Sequence, residues 1–314
     1  MAWTVNDMPD QSGKVAIVTG ANGGLGLETT RELARKGARV IMAARNLDRA
    51  GEAKRLIEAD VGHRDLHVRQ LDLASLESVR ACGDALAVEH ERIDLLVNNA
   101  GLMAIPERAT VDGFEMQLGV NHLGHFVLTR RLLPALLRAR AARVVTVTSF
   151  AHLGGRSLDP EDPHLRDRYT PWRAYNQSKL ANLHFAVELQ RRLHSAGTAV
   201  QSLAAHPGIS HTELQERSVR ESGGGASQRF WLLVARRAGM APTQAALPQL
   251  RAATDPGARG GELYAPKWVI SGPPVRRRLF HRSLHQDTTR SLWEVSERET
   301  REPFDVTELV GEVS

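Results

Sequence analysis

Cysteine is all but absent: Cys82 is the only one among 314 residues. That excludes an intrachain disulfide framework and any cysteine-ligated zinc or iron–sulfur centre, and it fits a reducing compartment. Long apolar runs are missing as well. Met1 to Lys14 carries Asp7 and Asp10 and no hydrophobic stretch, which argues against a signal peptide or an N-terminal anchor. Every later apolar stretch is broken by Arg, Asp or His before it reaches a bilayer-spanning length. A cytoplasmic protein without a membrane anchor is expected.

Lysine is the third shortage. The 41 basic residues include only five lysines, and 36 acids leave a net charge of +5. The arginines are scattered and mostly matched by nearby acids. Arg276, Arg277 and Arg278, with His281 and Arg282, are the exception. A nucleic-acid binder concentrates charge on one element with aromatics between. The cluster is therefore read as a solvated loop, and no nucleic-acid partner is expected. Apolar content of 42% and charged content of 25% lie near globular averages, which excludes wholesale disorder.

What the chain does have is alternation. Val15–Thr19, Arg39–Ala43, Leu66–Leu71, Ile93–Asn98, Arg143–Thr148 and Val200–Ala204 are short, mostly continuous Val/Ile/Leu/Ala runs. Such runs suit parallel strands buried on both faces. Helical windows separate them: Leu25–Lys36, Leu47–Ala59, Leu76–His90, Gly113–Leu137 and Ala174–His194. With a last short strand near Glu262–Tyr264, the pattern predicts an α/β fold. It is a single doubly wound Rossmann-type domain, with a mainly parallel seven-stranded sheet and helices on both faces. That domain would span residues 1–272. Residues 273–314 form a polar C-terminal extension with one helical patch near Thr288–Arg298, packed on the domain or trailing from it. Gly223, Gly224 and Gly225, followed by Phe230, Trp231, Leu233 and Val234, suggest a substrate lid over about 209–240; ordinary core packing is weighed equally.

The first strand runs through Gly20, Asn22, Gly23, Gly24, Leu25 and Gly26 into a helix. A phosphate must approach such a turn closely, which needs residues without Cβ, and the helix start offers free N–H groups. Between the first strand and helix of a βαβ unit, this is a dinucleotide signature. The second strand ends without the acid that holds a ribose hydroxyl in NAD sites. Arg45 stands there instead, able to pair a 2′-phosphate, so NADP(H) is favoured over NAD(H).

A second constellation lies downstream. Tyr175 and Lys179 are four apart at the start of a long helix and share a face. A tyrosine with a pKa of about 10 is a poor acid or base at neutral pH. A cation beside it favours the phenolate. Ser149 ends the fifth strand, where ligands sit in doubly wound folds.

Together, the glycine turn, Asp72, Asn98-Asn99-Ala100-Gly101, Asn121, Ser149 and Tyr175-x-x-x-Lys179 resemble the short-chain dehydrogenase/reductase family. The resemblance runs from about Gly13 to Gly208. Val120–Phe126 and the long Phe150–Ala174 segment are similar to retinol dehydrogenases and WW-domain oxidoreductases. The chain shows neither the membrane segment usual in the former nor a WW module.

The resemblance implies roles. Tyr175 would be the general acid and base, Ser149 would bind the substrate oxygen, and Lys179 would bind the nicotinamide ribose and lower the tyrosine pKa. Asn121 would hold a water linking Lys179 to solvent. Asp72 and Leu73 would border the adenine, and Asn99, Ala100 and Gly101 would line the cofactor. Pro207, Gly208 and Thr212 would contact the nicotinamide end. Asn22 stands where many NADP-preferring relatives carry a base, which leaves Arg45 as the main phosphate ligand. The implied function is an NADP(H)-dependent oxidoreductase acting on a small hydrophobic alcohol or carbonyl. A non-catalytic NADP-binding regulator or scaffold is the alternative. Homo-oligomers in this family form through helices equivalent to Gly113–Leu137 and Ala174–His194. No metal site is expected: His122 and His125 lack a third ligand at zinc-site spacing, and His281 and His285 lack a glutamate. Trp172 is read as packing ahead of lining the pocket.

Overall fold

Continuous apolar runs make strands buried on both faces, and the computed structural model places them so. It describes residues 2–62, 65–209, 239–279 and 285–313. The strands are β1 (Val15–Thr19), β2 (Arg39–Ala44), β3 (Leu66–Gln70), β4 (Leu95–Asn98), β5 (Arg143–Val147), β6 (Gln201–Ala205), β7 (Leu263–Pro266) and β8 (Pro274–Arg277). Their order is β3-β2-β1-β4-β5-β6-β7-β8, parallel throughout except for the antiparallel β7–β8 pair. The sheet therefore has eight strands, not the expected seven. Pro273 and Pro274 beside three arginines read as a loop, yet an edge strand tolerates proline because one side of its ladder is free.

Helices α1 (Gly24–Arg35), α2 (Leu47–Val61) and, later in the chain, α8 (Leu247–Thr254) share a core with β1–β7 on one face of the sheet, and the short α7 (Pro242–Ala245) packs beside α1. On the other face lie α3 (Leu76–Glu89), α5 (Gly124–Leu137) and α6 (Pro171–Ser195). The window predicted as one helix over Gly113–Leu137 is broken. One turn, α4 (Met116–Leu118), leads into a π-helical turn, Gly119–Leu123, before α5 begins. π-turns recur at functional sites because they re-aim a side chain; here the turn carries Asn121.

The end of the chain adds α9 (Gln286–Thr300) and α10 (Val306–Val313), which pack on α6 and α5. Trp293 of α9 is buried against Phe126, Phe185 and Phe304, with ring centroids 5.1, 5.8 and 4.7 Å away. Glu302, also buried, receives Arg80 and Arg131 at 2.6 Å each. α5 and α6, which the resemblance associates with self-assembly, thus carry the chain's own tail helices.

Ser296 lies 2.7 Å from the Nε2 atom of buried His122. Ser296→Ala strands that nitrogen without a partner. It is expected to cost about 1–3 kcal/mol in urea unfolding, whereas a loosely attached tail predicts no change. Among the described residues, no helix is long and apolar enough to cross a membrane.

Candidate functional site

The sheet order reverses between β1 and β4, and ligands in open α/β sheets collect at that crevice. A cavity of about 940 Å³ opens there. Gly20, Asn22, Gly23, Gly24 and Leu25 line one end, with Arg45, Asp72 and Leu73 beside them. Asn99, Ala100 and Gly101 form its floor, and Ser149, Tyr175, Lys179, Pro207 and Gly208 close the far end. Thr212, the lid residues 210–238 and His281 lie outside the described residues.

Glycine 24 has φ of +52°, a left-handed conformation open to glycine. A Cβ added at Gly23 would meet nothing within 4 Å, so the turn presents bare backbone to the cavity. Gly26 does different work and does not line the cavity. A Cβ there would fall 2.2 Å from the Gly20 carbonyl oxygen, so this glycine lets α1 pack tightly on the turn. Such a cradle of open backbone at a helix start fits a dinucleotide pyrophosphate.

Arg45 follows the last residue of β2, is exposed, and faces the same cavity. No acid precedes Asp48 after the strand. Among the described residues Arg45 makes no ion pair, so its guanidinium is available to a ligand. Arg49, in the first turn of α2, also lines this end.

At the other end, burial dominates the electrostatics. Tyr175 is 5% exposed, and burial pushes its phenol up to about 12, with the Ser149 hydroxyl pulling the other way. Burial likewise pushes Lys179 down to about 8. Lys179 Nζ donates to the Val147 carbonyl at 3.2 Å and stands 6.0 Å from the centre of the Tyr175 ring. Desolvation is the larger influence on the phenol in the protein alone.

Asn121 is buried and does not line the cavity. Its Oδ1 accepts from Leu102 N–H at 2.7 Å, and its amide donates to the Leu102 carbonyl at 3.0 Å and to Ser178 Oγ at 2.8 Å. Both amide hydrogens are thereby committed to protein atoms. Its backbone carbonyl lies 3.0 Å from His125 Nδ1, and His125 Nε2 lies 2.8 Å from Thr19 Oγ1. Thr19 Oγ1 already accepts from the N–H groups of Asn99 and Ala100. It can therefore donate to a neutral imidazole. The end of β1 is in this way tied to the Asn121 turn.

Several residues at this end escaped the sequence reading. Gln117 accepts from Ala104 N–H at 2.7 Å and donates to Tyr169 Oη and the Pro171 carbonyl, each at 3.1 Å. It joins the Met103–Ile105 wall of the cavity to the start of α6. His152 Nδ1 sits 2.5 Å from the Ser149 carbonyl oxygen. Trp172, for which packing was read ahead of lining the pocket, lines it edge-on to Tyr175 at 5.9 Å. With Met103, Ile105, Met116, Ala151 and Ile209 it makes this end apolar. No signal in the sequence marks Gln117 or His152, because each acts across elements distant in the chain.

Comparison with known proteins agrees with this geometry. Residues 14–223 match the model of the short chain dehydrogenase family. Retinol dehydrogenase 13 of Homo sapiens is 43% identical over 227 residues, covering 71% of this chain and 68% of that protein. Polyprenol dehydrogenase of Mus musculus is 48% identical over 211 residues, covering 66% and 63%. The chain thus spans about two thirds of the length of these relatives.

Among solved structures, an uncharacterised protein of Mycobacterium paratuberculosis superposes with a TM-score of 0.78 at 41% identity, covering 97% of this chain and 99% of that one. A proposed NAD(P)-dependent gluconate 5-dehydrogenase of Beutenbergia cavernae, holding NADP at low occupancy, gives 0.63 at 26% identity, with 81% and 95% covered.

Proposed function

The chain belongs to the short-chain dehydrogenase family, on its retinol-dehydrogenase-like side, and from that premise we propose that it interconverts an alcohol and a carbonyl on a hydrophobic substrate with NADP(H). One observation carries the reading: Ser149, Tyr175 and Lys179 face the same cavity as the open glycine turn. A bound nicotinamide supplies or accepts the hydride, and the protein orients and polarises the reacting groups.

The chain's own residues do the rest. Ser149 and Tyr175 hold the substrate oxygen between them. Tyr175 Oη gives up its proton in reduction and takes one in oxidation. Lys179 and Tyr175 would hold the nicotinamide ribose, and the backbone N–H groups of Gly23, Gly24 and Leu25 would hold the pyrophosphate. Asn121 positions Lys179's wall through Leu102 and Ser178 rather than touching the substrate. The apolar wall of Met103, Ile105, Met116 and Trp172 supports a hydrophobic substrate, as do relatives named for retinol and polyprenol. A panel of ketones, aldehydes and alcohols of increasing chain length tests this. Turnover should favour long apolar members, and no turnover of any member with either cofactor would defeat the proposal.

Arg45 supports NADP(H) over NAD(H). A charge-assisted bidentate pair with a 2′-phosphate is worth enough that Arg45→Ala should weaken NADPH binding about tenfold to a hundredfold. NADH binding should not change. Fluorescence titration of both cofactors reads this directly, and equal affinities unaltered by the substitution would remove the assignment.

A further inference from the structure

Among the described residues, the apolar cluster at the substrate end stands apart from the two large cores of the molecule. It consists of Met103, Ala104, Ala151 and Tyr175, with Trp172 against it. A cluster this small fixes a wall only loosely, so directional bonds decide how the wall stands.

Two side chains behind the wall supply those bonds. Gln117 is fully buried, and Tyr169 is half-buried in the segment that leads into α6. Gln117 Oε1 accepts from Ala104 N–H at 2.7 Å, and its Nε2 donates to Tyr169 Oη and to the Pro171 carbonyl at 3.1 Å each. Tyr169 Oη donates in turn to the Ile105 carbonyl at 2.8 Å. The amide cannot be turned round, because a backbone N–H needs an oxygen and a carbonyl needs an N–H. Both amide hydrogens and the hydroxyl hydrogen are committed.

Each partner neighbours a residue of the apolar lining. Ala104 stands between Met103 and Ile105, Pro171 precedes Trp172, and Gln117 itself follows Met116; all four of these neighbours line the cavity. Pro171 also opens α6, whose second turn carries Tyr175. Three stretches of wall, distant in the chain, are tied from behind to one amide. None of these bonds reaches the glycine turn or Arg45.

Ala104 marks the wall as held under strain. Its φ is +47°, a left-handed conformation that alanine keeps only where its surroundings impose it, and it is fully buried. Gln117 is held as well. The Glu115 carboxylate accepts from the N–H groups of Gln117 and Leu118 at 2.8 and 2.7 Å. Glu115 N–H donates to His164 Nδ1 at 3.2 Å, and His164 Nε2 lies 3.0 Å from the Glu299 carboxylate of α9.

We propose that Gln117 and Tyr169 are positioning residues that set the substrate slot. They hold Met103, Ile105, Met116 and Trp172 at a fixed spacing from Tyr175, which favours long apolar substrates over short ones. Neither residue lines the cavity, so the pair acts through the side chains it holds. The proposal rests on the oxidoreductase reading.

Gln117→Leu keeps the volume and removes every bond, whereas Tyr169→Phe removes only a hydroxyl and stays readable if the first variant folds poorly. With a long apolar alcohol or ketone, kcat/KM should fall about tenfold to hundredfold in Gln117→Leu, mostly through KM, and less in Tyr169→Phe. With the shortest ketone that turns over, the loss should stay within about threefold, because that substrate leans little on the wall. NADPH affinity and the pH profile of oxidation should match the parent's, since Tyr175, Lys179 and the glycine turn are intact. The double variant should lose less than the product of the two single losses, as expected of one shared network.

Hydrogen exchange read by mass spectrometry follows the tie without turnover. The peptide carrying Ala104 N–H should exchange about tenfold faster in Gln117→Leu, while β1, β4 and β5 keep their protection. Equal losses for short and long substrates would make Gln117 a merely structural part and overturn the proposal, as would unchanged exchange at Ala104. A parent protein that turns over no substrate defeats the oxidoreductase reading, and the slot falls with it. Parent turnover with a length preference unaltered in both variants defeats the proposal alone.

Discussion

Tyr175→Phe should lower turnover by about two to four orders of magnitude in both directions, the usual contribution of a positioned acid or base. Cofactor affinity should fall by about tenfold at most, the worth of one ribose hydrogen bond, because Lys179 remains and the ring keeps its place against Trp172, Met103, Ala104 and Ala151. That combination distinguishes an enzyme from a cofactor-binding scaffold, which would tolerate the loss of a phenolic oxygen.

The pH dependence sharpens the test. Burial holds the Tyr175 phenol up near 12, so the proton needed for reduction is present throughout the neutral range. Oxidation needs the phenolate, so kcat/KM for alcohol oxidation should climb with pH. Lys179, pushed down to about 8, loses its charge across the same interval and should round that climb. Reduction should stay flat up to about pH 8. Steady-state profiles in both directions check this. A Tyr175→Phe variant as active as its parent, or an oxidation rate independent of pH, would remove Tyr175 from the chemistry.

The chain announced some of this and concealed the rest, for physical reasons. The extents of β1 and the starts of β2, β3 and β5 were legible because buried parallel strands need continuous apolar runs. Tyr175, Lys179 and the glycine turn were legible because helical spacing and tight-turn chemistry are local. The eighth strand was not, since an edge strand pairs through its backbone and β8 carries prolines and arginines instead of an apolar stretch. The polar tail showed α9 as a helical patch near Thr288–Arg298 but concealed α10 and the packing of both, because Trp293 and Phe304 meet Phe126 and Phe185 only once the fold is made. The burial of Tyr175 was hidden for the same reason: a lysine four residues on is visible in the sequence, but the depth at which the phenol is packed is a property of the folded molecule. Gln117, His125 and Trp172 join the site through contacts between elements that no spacing rule connects.

Stability should collapse on mild acidification. Burial pushes His122 and His206 down to about 3, and His125 and His184 down to about 4. Among the described residues His122 Nδ1 and His184 Nε2 have no hydrogen-bond partner, so a proton there would sit uncompensated in the interior. In the unfolded chain each histidine takes up its proton near pH 6.5; in the folded chain each refuses it until pH 3–4. The unfolded state therefore binds more protons below pH 6.5, and stability falls as pH drops through that value toward 4. One pH unit below 6.5 costs about 1.4 kcal/mol per histidine, or about 5–6 kcal/mol for the four together. Glu115 works in the opposite sense. Burial raises it to about 7, so it gains its proton early in the folded state and offsets about 1–2 kcal/mol. A net loss of about 4 kcal/mol between pH 7.5 and 5.5 is large against the 5–15 kcal/mol that holds a typical domain together. Urea unfolding at a series of pH values measures it, and a midpoint unchanged over that interval would refute the prediction. His184→Leu, which removes one of the four protons, should flatten the net slope by about a third. Its effect on stability at pH 7.5, where all four are neutral in both states, should be set by packing alone.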